Sequence, residues 1–263
     1  MKRLTYLLAL ALVILVAPAA TPADDPAARG LEIAVEADRR DQGFGDYSAD
    51  LTMVLRNRHG EESTRILSIR VLELQDDGDK SLIVFSTPAD VDGTALLTFS
   101  HKTGDDDQWL YLPALKRVKR ISSNNKSGPF VGSEFAYEDL SSQEVEEYTY
   151  KYLDEESLDD RAMFVVELNP TDPKSGYTRQ IVWLDRDEYR RYKVEFYDRK
   201  DALLKTLTYS GYEQFLDKHW RPETMHMVNH QTGKSTVLNW THYVFGNGLT
   251  DADFNRATLA RAR

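Results

Sequence analysis

The chain has 263 residues, of which 41% are hydrophobic and 29% are charged, so it can bury a sizeable core and is not expected to be disordered. It contains no cysteine, which excludes a disulfide scaffold, a thiolate nucleophile and any cysteine-based metal site. Its formal net charge is -10, and because it would repel a phosphate backbone, nucleic acid is not an expected partner.

Residues 1–23 have the pattern of a secretory signal peptide. Lys2 and Arg3 precede an almost wholly apolar run at 4–16, and cleavage is predicted after Ala19 or Ala23. The run is short for a membrane span of about 20 residues, although an uncleaved anchor is the alternative interpretation. No cysteine follows that could carry a lipid anchor, so we expect a soluble periplasmic protein.

Residues 24–263 are predicted to form a single, mainly β domain. An extended leader at 24–29 precedes a short amphipathic helix at 31–39, and glycines at 43 and 45 end it. Period-two alternation then dominates, which favours an antiparallel meander curling into a barrel or a strongly bent sheet. A second helical region is predicted at 122–142 and a terminal helix at 250–261. The predicted strands are 47–55, 64–74, 81–85, 95–99, 108–112, 118–121, 146–153, 162–168, 178–184, 192–197, 203–212, 224–228 and 236–245.

No catalytic motif is recognisable in the sequence. Ser133 lies between Gly132 and Glu134, so the second glycine of a serine-hydrolase elbow is missing. His226 and His230 fall in a predicted strand, where residues four apart are separated by about 13 Å and do not suit one metal ion. We therefore expect no catalytic residue, no metal and no cofactor, and we do not expect an enzyme.

Residues 109–140 are the most informative part of the chain. A strand is followed by a dense basic cluster, and then by a glycine-jointed loop bearing three aromatic side chains. One interpretation is a mobile aromatic flap beside a basic rim, which would gate an apolar pocket. The other is a hairpin and a core-packed loop with its charges in water. The candidate lid residues are Phe130, Phe135 and Tyr137, and the candidate rim residues are Lys116, Arg117, Lys119 and Arg120.

These residues resemble the LolA-like outer-membrane lipoprotein-sorting family, in the branch associated with RND/MMPL-type exporters. The resemblance implies a strongly curved antiparallel sheet forming an incomplete barrel, with a few helices covering its open side. It also implies an arginine on an early strand that holds a lid closed, for which Arg56, Arg65 and Arg70 are candidates. The runs that carry the resemblance are 93–97, 109–121, 128–140, 183–185, 195–198, 203–205 and 220–222.

The resemblance implies a carrier of lipid or lipoprotein acyl chains, and such a carrier needs an unfilled apolar hollow. A barrel of about eight strands is filled by its own side chains, whereas more strands or an open barrel leave space. Ordinary core packing is the alternative for every candidate lining residue, since alternation does not distinguish a filled interior from an empty one. The candidates are Met53, Leu55, Leu72, Val84, Leu97, Trp109, Tyr111 and Trp183.

Three functions are compatible with these patterns and with the resemblance. The first is a periplasmic carrier that encloses hydrophobic cargo for transfer toward the outer membrane. The second is an accessory subunit that docks on an RND/MMPL-type exporter without enclosing cargo, and the third is a lipid-modifying enzyme. The expected partners are lipid or lipoprotein acyl chains, an inner-membrane exporter and an outer-membrane acceptor, and the protein itself is expected to be a monomer.

Overall fold

The computed structural model describes residues 25–262, so the predicted signal peptide lies outside the described residues. Within them, helix α1 spans Pro26–Asp41 and is followed by thirteen strands. The strands are β1 Asp46–Arg56, β2 Glu62–Leu72, β3 Lys80–Thr87, β4 Ala95–Phe99, β5 Asp107–Leu112, β6 Arg117–Ile121, β7 Tyr148–Leu158, β8 Arg161–Pro170, β9 Tyr177–Asp185, β10 Arg191–Asp198, β11 Leu203–Phe215, β12 His219–Asn229 and β13 Ser235–Phe245.

Helix α1 begins earlier than the sequence pattern predicts. The Asp25 carboxylate accepts a hydrogen bond from the backbone nitrogen of Ala27 at 2.9 Å, and Pro26 occupies the first turn. An aspartate cap followed by proline is a strong helix start, so the prediction of an extended leader at 24–29 is wrong. The helix packs on β7 at Gly30, where a Cβ atom would come within 2.7 Å of the Tyr152 nitrogen.

All thirteen strands form one antiparallel sheet. The order is β6-β5-β4-β3-β2-β1-β13-β12-β11-β10-β9-β8-β7, so two meanders meet where β1 pairs with β13. The edge strands β6 and β7 are not paired with each other, and the barrel is therefore incomplete. The predicted fold class, a curved antiparallel sheet with an open side, is confirmed.

Strand alternation gives the sheet two faces, which we call inner and outer. In β1, Ala49, Leu51 and Met53 are buried on the inner face, whereas Asp50 is exposed on the other. The main core cluster consists of inner-face residues from both meanders, together with Ile33 of α1. The inner face is therefore the side on which α1 lies.

Residues 122–147, here called the crossing loop, connect the two edge strands across the inner face. The loop contains four short 3₁₀ segments, Ser123–Asn125, Phe130–Gly132, Tyr137–Leu140 and Val145–Glu147. The expected helical region at 122–142 is thus a series of single turns. Val131 and Gly132 both have positive φ, 46° and 78°, and this left-handed pair makes a tight turn where a regular helix would have to continue.

Residues 249–262, here called the terminal cap, cover part of the outer face. They form two 3₁₀ segments, Asp251–Asp253 and Arg256–Arg261, where the sequence pattern predicts one helix. Phe254 lies between the segments and is 3% exposed, while Leu259 is 2% exposed. Both side chains join an outer-face cluster of β3, β4 and β5, so anchoring on the sheet takes precedence over a continuous helix.

Candidate functional site

A cavity of about 1250 Å³ lies between the inner face of the sheet, α1 and the crossing loop. This volume exceeds the ~300–1,000 Å³ that is usual for pockets that bind small molecules. The exposed residues Gln42 and Asp217 at its margin show that it opens to solvent. The space is large enough to receive a long and flexible ligand.

The wall of the cavity is mainly apolar where the strands form it, because every second side chain of each strand points inward. On β10, Val194 and Phe196 are 3% and 5% exposed and line the cavity. Ala37 lines it from the helix side. Equivalent wall residues on the other strands include Leu51, Met53, Leu67, Val182, Leu207 and Leu238.

The crossing loop places two aromatic side chains against this wall. Phe130 and Phe135 are 0% and 1% exposed, and both line the cavity. The Phe130 ring lies 5.5 Å from that of Phe85 on β3 and 5.8 Å from that of Tyr137. The loop is therefore packed as a closed cover over the inner face.

Polar bonds to both meanders hold the crossing loop in place. On β2, the Arg65 guanidinium donates to the Val131 carbonyl. On β5, the Gln108 side chain donates to the Tyr137 carbonyl at 2.9 Å. The other meander binds Glu134 through Lys205 at 3.0 Å, Asn229 at 2.7 Å and Thr236 at 3.0 Å.

A buried ion pair also attaches the crossing loop to the sheet. Lys205 Nζ lies 2.6 Å from Asp139 Oδ2, and the two side chains are only 4% and 6% exposed. The hydroxyl of Tyr177 donates to the other carboxylate oxygen at 2.8 Å. Removing one partner of such a pair leaves an uncompensated buried charge, so the pair ties the loop to β11.

Carboxylates gather at one margin of the cavity. Burial raises the pKa of Asp79 to about 7 and that of Glu147 to about 8, and neighbouring acids add to both shifts. Burial also raises the pKa values of Asp106, Glu138 and Glu144. Since all five line the cavity, part of this margin carries protons near neutral pH.

Only one of the eight predicted lining residues borders the cavity. Met53 is that residue; Leu55 packs with the main core on the same face without lining the cavity. The other six lie on the outer face, so the prediction that they line the cavity is wrong. Leu72, Val84, Leu97, Trp109 and Tyr111 pack under the terminal cap, and Trp183 packs with Met163 and Val165. The reason is that both faces of these strands are apolar, and alternation does not identify the hollow one.

The predicted basic rim lies away from the cavity. Its four residues are on or next to the edge strand β6, and all are exposed. Arg120 pairs with Asp107 of β5, and none of the four is among the residues that line the cavity. The structure therefore separates Lys116, Arg117, Lys119 and Arg120 from the lid aromatics.

Of the three candidate arginines, Arg65 is the one that contacts the crossing loop. Arg56 pairs with Glu62 on the neighbouring strand. Arg70 is paired in register with Leu82, which belongs to the outer-face cluster. Strand alternation separates Arg65, which shares the face of Leu67, from Arg56 and Arg70. It does not tell which face is the inner one, because the position of the loop is set by long-range contacts.

Sequence reasoning misses the part of the wall that α1, β10 and β11 contribute. Val194, Phe196 and Leu207 lie in predicted strands with clear alternation, so the signal for burial is present. The pairing of β13 with β1 joins the two meanders into one sheet, and it thereby places these three residues around the same cavity as the first meander. No local sequence pattern predicts that pairing.

Comparison with known proteins identifies the family. A family model described as "uncharacterized protein" matches residues 77–261. A solved domain from Vibrio parahaemolyticus, assigned to outer membrane lipoprotein sorting, is 58% identical with a TM-score of 0.88, and the match covers 89% of this chain and 100% of that one. The chain belongs to the outer membrane lipoprotein-sorting family.

Two further structures place this sorting family among related folds. A DUF1329 family protein from Desulfovibrio piger is 33% identical with a TM-score of 0.85, covering 89% of this chain and 99% of that one. A LolA superfamily protein from Nitrosomonas europaea is 23% identical with a TM-score of 0.70, covering 87% and 98%, and shares the fold. No curated protein matches the sequence. The predicted resemblance to the sorting family is confirmed.

The described part of the chain holds neither a cluster of metal ligands nor a membrane-spanning helix. Residues 25–262 contain no group of three or more His, Asp or Glu side chains placed to hold a metal ion. In the same residues, no helix is both long enough and apolar enough to cross a bilayer.

Proposed function

We propose that this sorting-family member is a periplasmic carrier, which encloses the acyl chains of a lipid or lipoprotein and delivers them toward the outer membrane. The observation that carries the proposal is the cavity of about 1250 Å³ with its apolar wall of inner-face side chains. Its relative from Vibrio parahaemolyticus is assigned to outer membrane lipoprotein sorting, which supports the same role. The predicted signal peptide at 1–23 would bring the chain to the periplasm.

The need for enclosure follows from the hydrophobic effect. At about 0.8 kcal/mol per methylene, exposing a 16-carbon acyl chain to water carries a free-energy cost of roughly 12 kcal/mol. A cavity that receives the chain recovers much of this free energy without a reaction. Transfer then requires only release, so the proposal assigns no catalytic residue and no cofactor.

The crossing loop is the proposed lid of this cavity. Phe130, Phe135 and Tyr137 would move with it, and Arg65 would hold the closed position through the Val131 carbonyl. The polar bonds that hold the loop can be exchanged for bonds to water when it opens, although Phe130 and Phe135 would also be exposed. A loop held by apolar contacts alone would gain no such bonds to water on opening.

A second role, docking on a membrane exporter, is favoured by the hairpin between β5 and β6. Leu115 at its turn is 62% exposed, and the basic side chains at 116, 117, 119 and 120 surround it in an otherwise acidic protein. We propose that this hairpin contacts the donor or acceptor during transfer. Docking through the hairpin is compatible with a carrier, because the hairpin is separate from the cavity.

The experiment is lipid extraction and mass spectrometry of natively purified protein, followed by titration with 1-N-phenylnaphthylamine, an uncharged apolar dye. Ala37→Trp fills part of the cavity from α1, and Val35→Trp, 47% exposed on the same helix, is the matched control. We expect Ala37→Trp to weaken dye binding about fivefold, which corresponds to about 1 kcal/mol, while the control binds like the wild type.

Two results would contradict the carrier proposal. One is wild-type protein that neither retains lipid nor binds the dye, which would leave docking as the remaining role. The other is equal dye affinity in Ala37→Trp and Val35→Trp, because the dye would then bind outside the cavity. Thermal unfolding of both variants checks that each is folded.

A further inference from the structure

One arginine in the cavity wall is directed inward against the alternation of its strand. On β10, Lys193 and Glu195 point outward: they pair at 2.6 Å, and Lys193 lies 3.9 Å from the centre of the outer-face Trp183 ring. Arg191 would share their outward direction if the strand were regular. A register shift between Arg191 and Lys193 instead pairs Arg191 with Leu184, an inner-face residue.

The irregularity therefore places the Arg191 side chain in the cavity, where it is one of the lining residues. Bulges commonly re-aim a side chain in this way. The hydroxyl of Tyr212 donates to the Arg191 backbone carbonyl, which stabilises the irregular segment. The side chain itself is half-buried.

The positive charge of Arg191 is felt by four tyrosines that line the cavity with it, Tyr148, Tyr150, Tyr209 and Tyr212. Burial raises the pKa values of Tyr148, Tyr150, Tyr209 and Tyr212, and the positive charge of Arg191 opposes the rise at each of them. Because burial raises their pKa values, these tyrosines are uncharged near neutral pH and do not neutralise Arg191.

The other arginines of the cavity lining have carboxylate partners. Arg190 binds Asp185 at 2.6 Å, Arg221 binds Asp41 at 2.5 Å, and Arg40 binds Glu36 at 2.7 Å. Among the described residues, no Asp or Glu forms an ion pair with Arg191. Asp139, whose charge also reaches Tyr209, is already paired with Lys205. The other acids whose charges reach these tyrosines form no ion pair with Arg191; they are Glu138, Glu146 and Glu147.

This isolation has a consequence for the cargo. While the cavity is open to water, the guanidinium is hydrated, but an apolar chain that fills the cavity removes that water. A charge left without water or a partner is strongly unfavourable, so a purely apolar ligand would be penalised at Arg191. A carboxylate or phosphate on the ligand would remove the penalty, because the planar guanidinium binds both groups through two parallel hydrogen bonds.

We propose that Arg191 is an anion-binding subsite inside the cavity, which selects acyl cargo bearing an acidic polar group. The proposal rests on the proposed function, since it assigns the polar end of the same ligand. Val194 and Phe196, on the inner face of the same strand, would contact the adjoining acyl chain. A fatty-acid carboxylate and a lipid phosphate share the required chemistry.

The test uses displacement of 1-N-phenylnaphthylamine from the full mature chain by three single-chain ligands: palmitate, palmitoyl lysophosphatidate and uncharged monopalmitoylglycerol. Arg191→Gln removes the charge, Arg191→Lys retains it, and Lys193→Gln is the outward-facing control on the same strand. We expect Arg191→Gln to bind the two anions about tenfold more weakly than the wild type does, with monopalmitoylglycerol unchanged. Arg191→Lys should recover part of the loss, and Lys193→Gln should show none.

Loss with palmitate alone would assign the site to carboxylates, and loss with lysophosphatidate alone would assign it to phosphates; either supports the subsite. Equal loss with all three ligands, or no loss, would overturn it. Wild-type protein that binds monopalmitoylglycerol as tightly as the anions would overturn the subsite while leaving the carrier proposal intact. Failure of every ligand and of the dye would instead overturn the carrier proposal.

Discussion

The crossing loop and the terminal cap both cover an apolar face of the same sheet, yet they differ in how they are attached and in what lies beneath them. The cap inserts Phe254 and Leu259 into the outer-face cluster around Leu97 and Trp109. The crossing loop buries Phe130 and Phe135, but it is also held by polar bonds from β2, β5, β11, β12 and β13, and a large space remains beneath it. The outer face is thus sealed by apolar packing, whereas the inner face has a cover over a hollow.

The two coverings differ in what their removal would cost. Separating the cap from the sheet would expose apolar surface to water, which has no compensation. Separating the crossing loop would also expose Phe130 and Phe135, but together with them it exposes charged and polar groups that water can solvate. A sheet with two apolar faces can therefore have one permanent seal and one cover suited to opening.

The largest effect expected is at the buried ion pair of the crossing loop. Lys205→Met leaves the Asp139 charge buried and unpaired, and should lower the free energy of unfolding by about 3–5 kcal/mol. Urea denaturation measures the change. The double variant Lys205→Met/Asp139→Asn removes the stranded charge and should recover part of the loss. If Lys205→Met has wild-type stability, the loop is not held in the way described.

The second prediction compares one substitution on the two faces. Leu97→Ala on the outer face and Leu51→Ala in the cavity wall should each lower the free energy of unfolding by about 2–5 kcal/mol. Only Leu51→Ala should alter binding of 1-N-phenylnaphthylamine, because Leu51 lines the cavity and Leu97 does not. A change in dye affinity of Leu97→Ala alone would reverse the assignment of the two faces.

The fold was largely predictable because period-two alternation is a local property of the chain. Strand β4 begins and ends where the pattern predicts, and the inward set Ala49, Leu51 and Met53 follows from alternation in β1. The open sheet was predictable from the resemblance to the sorting family. Each of these inferences depends on residues close together in the sequence or on the sequence runs that resemble the sorting family.

The candidate site was less predictable because it depends on which face is hollow. Leu96 and Leu97 are adjacent and both are fully buried, but Leu96 joins the inner core and Leu97 the outer cluster. No pattern in the strand distinguishes them, since the difference is set by the terminal cap. Arg191 was missed for a related reason: the register shift on β10 reverses its direction, and alternation assumes a regular strand.

A smaller effect is expected from pH, and it comes from the buried acids of the inner face. Burial raises the pKa of Glu147 from 4.5 to about 8 and that of Asp79 from 3.8 to about 7, so the folded protein binds protons that the unfolded chain releases. Stability should therefore fall as pH rises from the unfolded values toward about 8. At about 1.4 kcal/mol per pKa unit the full shifts would amount to roughly 9 kcal/mol, but both residues are partly exposed and screened by solvent, so we expect a decrease of the order of 2 kcal/mol.

Urea unfolding at a series of pH values measures this slope. Glu147→Gln should flatten it, because the amide does not titrate, whereas Glu213→Gln on the exposed side of β11 serves as the control. A stability that increases with pH through this window, with Glu147→Gln unchanged, would contradict the assignment of buried, protonated acids to the cavity margin.

The smallest effect should come from the edge of the sheet, which belongs to neither covering. Lys119 is exposed on β6 and does not line the cavity. Lys119→Glu should therefore change the free energy of unfolding by no more than about 0.5 kcal/mol and leave dye affinity unchanged. If dye binding weakens as it does in Ala37→Trp, the basic cluster borders the binding site. The conclusion that this edge of the sheet is separate from the cavity would then be wrong.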